Sequence, residues 1–159
     1  AELGTIGTCG NDKEGGTGEI IYTRPDDAVK FVQETGIDCL AIAIGTAHGI
    51  YPKGFKPELK LDLLSEIKAK VNIPLVLHGG SANPDDEIAE SVKRGINKIN
   101  ISSDIKDAFY QQLRKTLSAD PKVREPFELY QDSIKAMKEV VTHKIKLFDD
   151  ADKAKFYSL

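Results

Sequence analysis

Two histidines stand in nearly the same setting. His48 lies in IAIGTAHGIY and His78 in LVLHGGSA, and each follows an apolar run and precedes a glycine. A buried strand has no use for a terminal imidazole unless the strand delivers it to something, and zinc is the usual partner of a pair of imidazoles. Taken alone, either ring also reads as a satisfied rim histidine; the matching context in consecutive segments favours the shared metal. A catalytic zinc takes three protein ligands and keeps one position open. The remaining histidine, His143, falls off the apolar stripe of its helix and reads as solvated. Glu2, in ELG, offers a carboxylate ligand or base, or else a hydrogen-bonded rim acid.

HGGSA and NISSD form a second constellation. Glycines let backbone N–H groups approach an anion, hydroxyls add donors, and a following helix adds partial positive charge. Gly79, Gly80 and Ser81 follow one strand-like run, and Ser102 and Ser103 follow the next, which suits a phosphate held by successive loops of a barrel. The competing reading makes Ser103 or Asp104 a plain helix cap.

The elements that must position these residues alternate. ELGTIG (2–7), CLAIAIG (39–45), IPLVLHG (73–79) and INKINIS (96–102) read as strands buried on both faces. Between and after them, RPDDAVKFVQETG (24–36), LDLLSEIKAKV (61–71), NPDDEIAESVKRG (83–95) and DIKDAFYQQLRKTL (104–117) read as helices, several opening on proline and acids and closing on glycine. A last helix carries Ile134, Met137, Val141, Ile145 and Phe148 as its apolar stripe. About four βα units predict a parallel α/β architecture, but a whole (β/α)₈ barrel needs ~250 residues and this chain has 159. Half of a barrel, or a small open sheet, is the expectation. GTCGNDKEGGTGE (7–19) reads as a surface loop.

Bulk properties narrow the partners. The net charge of −3 is spread along the chain, so no basic patch argues for nucleic acid. No apolar run approaches the ~20 residues of a membrane span, and AELGTIG lacks the pattern of a signal peptide. Cys9 and Cys39 form no metal-type cluster and read as free thiols in a reducing compartment, which makes the cytoplasm the expected location.

ELGTIG, DCLAIAIGTAHGIYP, IPLVLHGGSA and INKINISSDIKDAF, in this order, resemble the C-terminal half of class II, zinc-dependent ketose-bisphosphate aldolases, of the fructose- and tagatose-bisphosphate type. The resemblance runs through AMKEVVTHKIKLF and so covers nearly the whole chain as one partial domain, residues 1–159. It implies the C-terminal half of a (β/α)₈ TIM barrel, with Zn²⁺ as Lewis acid on dihydroxyacetone phosphate, and an aldehyde as the second substrate. A monovalent cation such as Na⁺ or K⁺ beside the phosphate stays open. By motif, His48 and His78 match zinc ligands. Gly49, Gly79, Gly80 and Ser81 match the loops around the triose phosphate. Asn100, Ile101, Ser102 and Ser103 match its other clamp, with Asn100 at the reacting oxygens. Glu2 matches a carboxylate near the metal. Homo-oligomers are common in such families.

The chain departs from that pattern in two places. It has no Asp-His pair, which in the family supplies the third zinc histidine and an acid/base aspartate from the N-terminal half of the barrel. That half is therefore expected as a further partner, and this half alone is expected to be inactive. The loop after ELGTIG reads GTCGNDKEGG rather than Gly-Gly-x-Glu-Asp, which leaves Asp12 or Glu14 as candidate proton shuttle and the aldehyde undetermined. Gln131 stands where a basic second phosphate clamp would be sought. Two other readings remain: a metal-independent phosphosugar isomerase or epimerase, and a non-catalytic half-barrel that binds phosphate.

Overall fold

The computed structural model describes residues 1–9, 19–54 and 57–157, which form two compact units, Ala1–Ile101 and Ser102–Leu159. Asp12 and Glu14 lie outside the described residues. In the first unit, β1 (Glu2–Leu3) and β2 (Gly7–Thr8) precede α1 (Pro25–Thr35). They are followed by β3 (Leu40–Ile42), β4 (Ala47–His48), α2 (Leu61–Lys70), β5 (Leu75–Leu77), α3 (Asp85–Lys93) and β6 (Ile96–Ile99). Four strands form one parallel sheet in the order β1-β3-β5-β6, so each main strand pairs with the next across a helix. β2 and β4 form a separate parallel pair.

The helix signals act where the sequence puts them. α1 opens on Pro25 with Asp26 and Asp27 in its first turn, where acids face the positive helix end. It closes on Gly36 at φ +62°, whose N–H donates to the Val32 carbonyl at 2.9 Å. Glu87, in the first turn of α3, accepts the Leu59 N–H at 2.7 Å, just before α2 begins.

β3 and β5 are buried throughout, and with Leu64, Ile67 and Ile88 from the helices they form the core. Full burial of each such side chain contributes about 1.5–3 kcal/mol. The edge strands differ from the expectation of two buried faces. Glu2, Asn97 and Lys98 are exposed, because among the described residues β1 and β6 are each paired on one side only. β6 also carries a bulge: Leu75 pairs with Ile96 but Val76 pairs with Lys98, and the skipped Asn97 accepts the Leu75 N–H on Oδ1 at 3.1 Å.

The second unit is a pair of helices, α4 (Ser103–Ala119) and α5 (Pro126–Leu147), with a short 3₁₀ turn at Lys153–Phe156. The expected apolar stripe of α5 is largely outside: Ile134, Val141 and Ile145 are exposed, while Ser133 and Lys144 are buried. Lys144 tolerates burial because its ammonium meets Asp104, in the first turn of α4, at 3.2 Å, and Ser133 is small enough for close helix approach.

Candidate functional site

The register of the parallel sheet gathers the polar residues on one face. Glu2 pairs with Ala41, Ala41 with Val76, and Val76 with Lys98, which makes a single cross-sheet row. His78 and Asn100 lie two residues beyond Val76 and Lys98, so strand alternation returns them to that face at the C-terminal ends of β5 and β6. Side chains confirm the gathering. His78 Nε2 lies 3.7 Å from Glu2 Oε2, and Asn100 Nδ2 lies 3.3 Å from His78 Nδ1. The Lys98 ammonium donates to Asn100 Oδ1.

That chain of contacts has a fixed polarity. A lysine ammonium only donates, so Asn100 Oδ1 accepts and its amide nitrogen faces the ring. His78 Nδ1 then accepts, and the ring proton sits on Nε2, toward the Glu2 carboxylate. The His78 pKa is pushed down, first by burial; Glu2 opposes this, while the positive charges of Lys98, His48 and the N-terminus add to it. Burial and these positive charges favour the neutral ring, whose one lone pair, on Nδ1, meets the Asn100 amide, so coordinating a metal there would displace that contact.

His48 reaches the same rim by a different route. It lies on β4, where Thr8 pairs with His48, and its carbonyl accepts the Cys9 N–H at 2.8 Å. His48 is half-buried and close enough to influence His78 electrostatically. The chemistry of this donor set fits zinc in part. Two imidazoles and one carboxylate are present, but no cluster of three His, Cys, Asp or Glu side chains placed to hold a metal occurs among the described residues. His143 is exposed on α5 in the second unit.

The HGGS loop is held against β6. Gly80 N–H donates to the Asn100 carbonyl at 3.2 Å, and Asn100 N–H donates to the Leu77 carbonyl at 3.0 Å. A Cβ on Gly80 would stand 2.5 Å from Ile99 Cγ2 and 3.0 Å from the Asn100 carbonyl oxygen, so a larger residue there would force β6 or its side chains to shift. Gly79 sits at φ +62°, and a Cβ there would stand 2.8 Å from the Ala47 carbonyl oxygen. Ser81 and Gly49 are buried, Ile101 is half-buried and Asn100 is exposed. Ser102 and Ser103 open the second unit, at the head of α4.

Lys98 escaped the sequence reading. Its only signal was its place two residues before Asn100, which becomes meaningful once the bulge is known. Tyr51 and Asn83 escaped as well. The Tyr51 hydroxyl accepts the Ala47 N–H at 2.9 Å and meets Asn83 Oδ1 at 3.4 Å, and Asn83 Nδ2 donates to the carbonyls of Gly79 at 2.8 Å and Ser81 at 2.9 Å.

A family model described as fructose-bisphosphate aldolase class-II matches residues 1–153. Among solved structures, the YdjI aldolase of Escherichia coli K12 is 35% identical over 83% of this chain and 46% of its own, with a TM-score of 0.70. A protein described as a fructose-1,6-biphosphate aldolase from Coccidioides immitis is 26% identical over 98% of this chain and 53% of its own, with a TM-score of 0.80. The fructose-bisphosphate aldolase (Fba) of Campylobacter jejuni, 21% identical, shares the fold at a TM-score of 0.62. The chain spans about half the length of these relatives, which are TIM-barrel proteins, and its parallel βα series is consistent with half of such a barrel.

Proposed function

The chain belongs to the class-II fructose-bisphosphate aldolase family, and we propose that it supplies the zinc-binding and phosphate-binding half of a barrel that cleaves and forms the C–C bond of a ketose phosphate. The observation that carries this reading is the single sheet face on which Glu2, His78, Lys98 and Asn100 meet. His48 and His78 would hold Zn²⁺, and a third ligand would come from the rest of a complete barrel. When bound, the metal would supply a Lewis acid to a substrate carbonyl oxygen. Asn100, its amide oriented by Lys98, would present N–H to the substrate's reacting oxygen. Glu2 would accept a proton beside His78, with Asp12 as the alternative shuttle.

Dihydroxyacetone phosphate is the proposed common substrate, paired with an aldehyde. Gly49, Gly79, Gly80 and Ser81 would shape the loops around it. Asn100 and Ile101, with the hydroxyls of Ser102 and Ser103, would supply further phosphate contacts, and a monovalent cation there remains compatible. Activity is proposed for the complete barrel, assembled as a homo-oligomer in the cytoplasm, and not for this half alone.

The test is release of dihydroxyacetone phosphate from ketose bisphosphates by the complete barrel, before and after chelation. Activity lost on chelation and restored by Zn²⁺, and absent from His48→Ala and His78→Ala, is the expected result. Activity indifferent to chelator overturns the reading and favours a metal-independent isomerase or epimerase.

A further inference from the structure

The two histidine-bearing loops are joined by a polar clip that the proposed chemistry does not use. Asn83 stands one residue before Pro84, the N-cap of α3, and α3 has no side-chain cap. The Asn83 carboxamide instead turns back onto its own loop. Nδ2 donates to the carbonyls of Gly79, directly after His78, and of Ser81. Those two acceptors fix the amide orientation and leave Oδ1 facing Tyr51. The Tyr51 hydroxyl therefore donates to Asn83, and its lone pair accepts the N–H of Ala47, directly before His48.

Both anchors of this clip are backbone groups of residues adjacent to an imidazole-bearing residue. Asn83 is 6% exposed, so its hydrogen bonds have little competition from water. Below the clip the two loops touch directly: a Cβ on Gly79 would lie 2.8 Å from the Ala47 carbonyl oxygen. Ala82, between Ser81 and Asn83, takes φ +57°, an uncommon value for alanine.

We propose that Tyr51 and Asn83 are positioning residues that fix the separation of His48 from His78, and thereby set the affinity for the metal the two imidazoles share. The proposal rests on the metal-binding role given above to the two histidines. Neither side chain is asked to touch metal or substrate.

The test is zinc affinity, measured on metal-free protein by competition with a chromophoric chelator. Tyr51→Phe and Asn83→Ala are each expected to weaken Zn²⁺ binding about 10-fold, the low end of the effect of removing a partner of the ligand ring itself, since both act through the backbone beside the ligands. Because the two act through one clip, the double variant is expected to lose little more than the weaker-binding single variant. Melting of the metal-free forms is recorded in parallel. Variants that melt earlier but bind Zn²⁺ within about twofold of the parent, well short of the usual outer-shell effect, would show a purely structural clip and overturn the proposal. His48→Ala and His78→Ala separate the two levels: if they leave Zn²⁺ affinity unchanged, the metal-binding reading itself fails and the proposal falls with it. Should Asn83→Ala fail to fold, Tyr51→Phe, which keeps the ring, decides alone.

Discussion

Gly79 and Gly36 make a matched pair for a stability experiment. Both have φ +62°, so alanine at either site carries the same left-handed backbone penalty, about 1–2 kcal/mol. Their surroundings differ completely. A Cβ at Gly36 meets nothing within 4 Å, whereas one at Gly79 lands 2.8 Å from the Ala47 oxygen, 3.0 Å from its carbonyl carbon and 3.2 Å from Thr46 Cβ. Two of those atoms are backbone, so relief requires the His48-bearing segment to move. Overpacking of this kind costs about 1–3 kcal/mol, which places Gly79→Ala at about 2–5 kcal/mol in total against about 1–2 for Gly36→Ala. Urea unfolding followed by far-UV circular dichroism measures both, and the difference between them isolates the clash. Equal losses in the two variants would refute the close approach of the loops at Gly79.

In the second unit, Lys144→Met or Asp104→Leu alone breaks an ion pair whose side chains are 11% and 18% exposed, and thermal melts should show a loss of about 3 kcal/mol, with most of it recovered in the double variant. A single-variant loss under about 0.5 kcal/mol would make the contact an ordinary surface pair. Burial, opposed by the Ala47 N–H and aided by the nearby Cys9, pushes the Tyr51 phenol pKa up. The unfolded chain thus releases this proton first, and the stability advantage of the parent over Tyr51→Phe should be full below about pH 10 and shrink as pH rises through the raised value. An advantage that stays constant from about pH 8 to about pH 11 would contradict the raised phenol pKa.

Much of this architecture was legible because its signals are local. Pro25 and Gly36 bracket α1, and Leu64 and Ile67 mark the inner face of α2, since proline, glycine and a 3.6-residue spacing act within a few residues of themselves. The pairing of β2 with β4 was not legible, because strands of two residues carry no periodicity. Lys144 was not legible either: a lysine in a helix is read as solvated until the aspartate that neutralises it is placed beside it. Likewise, the sequence presents His48 and His78 as parallel motifs, but nothing in it links Tyr51 to Asn83, 32 positions away.

The bulge at Asn97 acts like a frameshift in the side-chain alternation of β6. In an unbroken ladder Asn97 would stand opposite Val76, and Lys98 and Asn100 would project on the face of Leu75 and Leu77, away from His78. Skipping one residue advances the frame, so that Ile96 and Ile99, three positions apart, share the face of Leu75 and Leu77, while Lys98 and Asn100 come round to that of Glu2 and His78. Asn97, exposed and itself outside the polar cluster, therefore decides which side of the sheet the lysine and asparagine occupy. A three-residue spacing between isoleucines, which in isolation looks helical, is what an alternating strand looks like when one residue is spent on changing its phase.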